Sequence, residues 1–229
     1  MDSDGTDPGV ALPLADLDSL RVFMPYEIRL AQRRAMGWGI AAEETLQHTS
    51  IGLYLLQAAG PREGPLPPDE EGGFELRAQL VAGARAALRD SDVLGVISGS
   101  ELFAVVHDLE PHQSYVVAQR LLSATARSEL LRGAGVSTRV GYLVYPLTTQ
   151  PNFPPLQWTA LVDLARAVSL RGISNTPKAP SGFGIMRGPA ASDNDIPESD
   201  LVDLAFQDLD SLVGAGLLSL QRIHLMSGL

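Results

Sequence analysis

Few side chains in this sequence could do chemistry, and their spacing excludes more than it offers. There are no cysteines, which rules out disulfides, thiolate metal ligands and cysteine nucleophiles and suits a reducing cytoplasm. His48, His107, His112 and His224 share no helical face with acids at a metal-ligating spacing, so no metal site is expected. Ser98-Gly99-Ser100 offers hydroxyls but has neither a strand-to-helix elbow nor assigned His and Asp partners. Gly182-Phe183-Gly184 does not follow a strand and open a helix, as a dinucleotide-binding loop must. Tyr142, Tyr145 and Trp158 read as core or sheet aromatics rather than a platform for stacking bases.

Two features remain, Arg89-x-x-Asp92 and the acid Glu101 in a glycine-containing turn. A lone turn carboxylate is ordinarily solvated. Arg89 has an ordinary structural use at the C-terminal end of a helix. There it would face the negative end of the dipole and pair with Asp90 or Asp92, contributing about 0.3–1 kcal/mol.

The elements that position these residues are legible from periodicity. Val93 to Ile97 and Leu102 to Val106 flank Ser98-Gly99-Ser100-Glu101 and predict a β-hairpin with glycine at positive φ, both arms in the middle of a sheet. Thr49 to Ala58 reads as a strand, Phe74 to Arg89 as a helix, His112 to Arg132 as a helix ended by Gly133, and Val136 to Pro146 as a strand. Pro154 and Pro155 introduce a helix through Val168, and Phe183 to Arg187 reads as an edge strand. Pro25 to Gln47 suits a helix weakened by Gly37 and Gly39, while Gly60 to Gly73 is a surface loop. Ser199 as N-cap, Asp200 and Asp203 in the first turns, and many leucines beyond predict a last helix over 199–229.

These segments, in this order, resemble a GGDEF domain, the diguanylate cyclase fold. Ser98-Gly99-Ser100-Glu101-Leu102 stands where that family carries its five-letter signature, and Arg89-x-x-Asp92 lies at the spacing of its product-binding RxxD motif. The resemblance implies an α/β fold, a mostly antiparallel central sheet flanked by helices, with a C-terminal helical extension. It divides the chain into a disordered acidic lead-in at 1–14, a degenerate GGDEF-like domain at 15–190, a linker at 191–198 and the terminal amphipathic helix at 199–229.

The resemblance also says what the chemistry would need. Joining two GTP molecules requires Mg²⁺ held by carboxylates. An ungapped count places the family's metal acids at Gln57 and Ser100, and its guanine-reading asparagine and aspartate at Pro65 and Phe74. An amide and a hydroxyl lack the charge that holds Mg²⁺ beside a triphosphate, and proline and phenylalanine cannot hydrogen-bond the guanine edge. Catalysis by the family mechanism is therefore not expected. In the family the RxxD arginine grips phosphate and guanine of cyclic di-GMP while the aspartate accepts from guanine nitrogens. Arg89 and Asp92 match that pair, and such a site needs no metal.

The expected protein is a non-catalytic regulator that binds cyclic di-GMP through Arg89 and Asp92, or a protein partner. The alternative is a pure interaction or oligomerisation scaffold, a partner or second copy docking on the C-terminal helix. With 229 residues, a net charge of −10 and no apolar run long enough for a bilayer, nucleic-acid binding and membrane insertion are disfavoured. No cofactor is implied, and the cytoplasm is the expected location.

Overall fold

A computed structural model describes residues 18–19, 22–23, 25–26, 50–60, 66, 72–109, 113–146, 158–170, 181–187, 190–191, 196, 204 and 208–223. The expected helix over 25–47 and loop over 60–73, Pro65 included, lie largely outside them. Strands β1 (Ser50–Ala59), β2 (Val93–Ser98), β3 (Glu101–Leu109), β4 (Ser137–Pro146), β5 (Ser181–Arg187) and β6 (Leu218–Ile223) form one sheet in the order β2-β3-β1-β4-β5-β6. All neighbours are antiparallel except β4 and β5.

β1 sits near the middle because it is apolar on both faces: Ile51, Leu53 and Leu55 are as buried as Tyr54, Leu56 and Ala58. Against the second set pack helix α1 (Gly73–Ala87), through Leu76, Leu80 and Ala84, and helix α2 (Ser114–Ala126), through Ala118, Leu121 and Leu122. Helix α4 (Trp158–Leu170) packs on β4, β5 and β1. The close approach of α4 requires Gly141, where a Cβ would overlap the Ala165 carbonyl oxygen.

The predicted helix over 112–132 divides. Ser128 is extended at φ −65°, ψ 114°, and its hydroxyl accepts from the Leu131 N–H, so it starts a separate short helix α3 (Glu129–Gly133). Gly135, at φ 67°, ends that helix rather than Gly133. The Val136 N–H reaches Leu131 O and the Gly135 N–H reaches Arg132 O, a Schellman ending.

Four expectations need correction. Helix does not continue through 199–229: the described residues are helical over 208–214, and Gly216 at φ 73° closes that turn with the Leu217 N–H bonded to Leu212 O. Beyond it the chain pairs as β6 with β5, burying Leu218 and Ile223, because a strand lets these residues finish the sheet while a helix would carry them away from it. β5 is thereby an interior strand, not an edge, and no C-terminal helix at 218–223 is present to receive a partner. The hairpin is also asymmetric: β3 is interior but β2 is the sheet edge. Its turn does not use positive φ at Gly99, which instead leaves room for Arg77, whose Nη1 would lie 3.1 Å from a Cβ there.

Candidate functional site

The hairpin carries the two sequence-derived groups to opposite ends of β2. At the turn, Ser98 pairs with Glu101 across Gly99 and Ser100, and the irregular register between Val96 and Ser98 re-aims the last residues. Ser100 is half-buried, and its carbonyl accepts from the Ala58 N–H at 2.8 Å, which ties the turn to the end of β1. Gln57 lies directly across from Glu101 on β3 and Arg139 on β4.

Glu101 is not a solvated turn acid. Its Oε1 accepts from Gln57 Nε2 at 2.8 Å and from Arg166 Nε at 2.9 Å, and its Oε2 accepts from Arg166 Nη2 at 2.9 Å. Its side chain is 14% exposed. Burial opposes its charge, but the Arg166 and Gln57 hydrogen bonds outweigh that and hold the carboxyl below the usual range. In return, Glu101 raises the proton affinity of the Arg166 guanidinium. Arg166 also reaches Asp163, one turn back on α4, and Ser169 of α4 donates to Gln57 Oε1. Nothing in the sequence points directly to Arg166 and Ser169 at this site; the nearest signal is the i,i+3 pair Asp163 and Arg166 in an otherwise apolar helix.

This donor set does not fit Mg²⁺ beside a triphosphate. The carboxylate of the turn is already held by a bidentate guanidinium, and Gln57 and Ser100 bring no charge. Among the described residues no group of three or more His, Asp or Glu converges as a metal site. Phe74 stands exposed as the second residue of α1.

At the other end, α1 stops at Ala87 and Arg89 follows outside it. Asp92 turns inward: it is 5% exposed, and its Oδ2 accepts from the Arg89 main-chain N–H at 2.8 Å. The Asp92 N–H returns to Arg89 O at 3.0 Å, so the four residues close a turn from both sides. Asp92 Oδ1 is buried with no hydrogen-bond partner among the described residues, near enough to Tyr54 that its charge, after burial and Tyr142, raises the Tyr54 pKa. The Arg89 guanidinium is exposed and pairs with neither Asp90 nor Asp92 among the described residues. The link within this motif is main chain to carboxylate, not an ion pair.

Solved structures share this order of strands and helices. Diguanylate cyclase SiaD of Pseudomonas aeruginosa, solved in complex with its activator SiaC, matches with a TM-score of 0.51 and 15% identity over 74% of this chain and 58% of that one. The coiled coil and GGDEF domain of DgcB from Caulobacter crescentus, solved in complex with c-di-GMP, matches with a TM-score of 0.50 and 11% identity over 74% of this chain and 81% of that one. The chain has the fold of a GGDEF domain.

At these identities the likeness to GGDEF domains is one of fold, and the chain spans little more than half the SiaD chain. No family model matches the sequence, and neither does any curated protein. Within the GGDEF fold, Ser98 to Leu102 occupies the hairpin turn and Arg89 to Asp92 the turn leading into β2. Among the described residues no helix is long and apolar enough to cross a membrane.

Proposed function

We propose that this GGDEF-fold protein is a non-catalytic regulator that binds cyclic di-GMP at the turn between α1 and β2. One observation carries the reading. Arg89 presents an exposed guanidinium without a partner among the described residues, in a chain of net charge −10 that otherwise repels a phosphate-rich ligand. Its planar donors suit phosphate and a guanine edge together. Asp92 holds the turn through the Arg89 main chain and so fixes the direction in which that guanidinium leaves the protein. The absence of catalysis is supported by Glu101, whose charge is committed to Arg166, and by the uncharged Gln57 and Ser100 beside it.

Calorimetric titration of cyclic di-GMP into the full chain tests the binding. Heat is expected with the native protein and none with Arg89→Ala; no heat at high ligand, or equal heat in the variant, overturns the reading. Incubation with GTP and Mg²⁺ or Mn²⁺ followed by nucleotide chromatography tests the chemistry. Any cyclic di-GMP formed would show that the turn assembles a metal site after all.

A further inference from the structure

We propose that the groove between α1 and α2 is the docking site of the chain's own acidic N-terminal segment, residues 2–17. The groove has a volume of about 300 Å³, with Ala86 and Ala87 of α1 facing Val116 and Ala124 of α2. Arg120 and Arg127, two helical turns apart on α2 and its C-cap, border it, and no carboxylate lines it among the described residues. Both arginines are exposed, and neither guanidinium has a partner among the described residues.

In a chain this acidic, two arginines with no acid among the described lining residues form a local positive field that favours an anionic occupant. The alanine and valine side chains between them favour an occupant with aliphatic groups between its charges. Residues 2–17 have that composition: Asp2, Asp4, Asp7 and Asp16, no lysine or arginine, and Val10, Leu12, Leu14 and Leu17 interleaved. Pro8 and Pro13 bias such a segment toward extended backbone, which lies in a groove without first folding. Extended, it spans roughly 55 Å, longer than a domain of this size is wide. Tethering raises its local concentration to about the millimolar range, so pairs that are weak at a surface suffice to hold it. The inference does not rest on the cyclic di-GMP reading, because Arg89 does not line the groove.

The lack of native cysteines permits a single nitroxide label at Thr6→Cys in the full ¹⁵N-labelled chain. Amide signals over residues 116–127 are expected to lose intensity, to recover in Arg120→Glu/Arg127→Glu, and to be lost again when Asp4→Arg/Asp7→Arg, whose extended spacing matches that of the two arginines, is added to that variant. Intensity should also return near 1 M salt, where screening acts within about 3 Å. Unchanged signals over 116–127, broadening on another surface, or broadening that survives the charge reversal overturns the proposal. So does broadening of unlabelled ¹⁵N chain mixed with labelled ¹⁴N chain, which would assign the groove to a second copy.

Discussion

Glu101 at the hairpin turn and Arg166 on α4, 65 residues apart in the chain, are joined by two hydrogen bonds of 2.9 Å. This pair fastens the helix on one face of the sheet to the turn at its end, with Gln57 and Ser169 completing the chain of contacts. The acid that sequence alone would leave in water is the centre of the network.

Removing either partner should destabilise the protein. Glu101→Gln or Arg166→Met is expected to lower unfolding stability by about 1–3 kcal/mol, the upper part of the range reduced because Arg166 is 34% exposed. Chemical denaturation at neutral pH measures it. Glu101 has a lowered folded pKa, so its contribution is complete above the unfolded value, about 4.3, and disappears as pH falls through the folded value. The native protein should therefore lose stability faster than Glu101→Gln on acidification below that point. Parallel loss in both would show that the pair contributes nothing.

Asp92 and Arg89 should separate in their effects. Asp92→Ala removes the acceptor of the Arg89 main-chain N–H and should cost about 1–2 kcal/mol of stability. Asp92→Asn keeps an acceptor and removes the charge from a buried oxygen without a partner, so it should cost less than alanine. Arg89→Ala should leave stability within about 0.5 kcal/mol while abolishing the calorimetric signal. Thermal unfolding of the three variants distinguishes these outcomes.

Gly141 is expected to tolerate no side chain. Its Cβ would meet the main chain of α4 at Ala165, which cannot rotate away, so Gly141→Ala should destabilise by about 1–3 kcal/mol or more. Equal melting temperatures for native and variant protein would contradict the packing of α4 on β4.

Tyr54 and Tyr142 are stacked with centroids 5.5 Å apart in the core, and burial pushes Tyr142 up to about 12 and Tyr54 well above its ordinary value. Raised folded values favour the neutral phenols. Stability should be intact below about pH 10 and fall as pH rises above it. Ultraviolet titration of the native protein should show these phenols ionising late; Tyr142→Phe, which also loses the 2.7 Å bond to Gln221, should remove one late step.

Much of the fold was legible because burial imposes a pattern on neighbouring residues. β1 shows an unbroken apolar run since both of its faces are covered, and the β2–β3 arms bracket a short turn. The C-terminal strand was not legible: Leu218 and Leu220 fit a helical face as well as a strand, and only pairing with β5 chose between them. The edge position of β2 likewise depends on which strands exist beyond β3, information absent from β2 itself.

The sequence by itself determined the order of most elements, the lack of thiol chemistry, the acidic balance and the uncharged side chains at Gln57 and Ser100, because each of these is a property of residue identity or local spacing. Tertiary structure alone decided that Glu101 pairs with Arg166, that Asp92 faces inward while Arg89 faces out, and that Arg120 and Arg127 border one groove. A side chain's partner is set by the elements that meet it across the sheet, and those meetings join residues that have no relation along the chain.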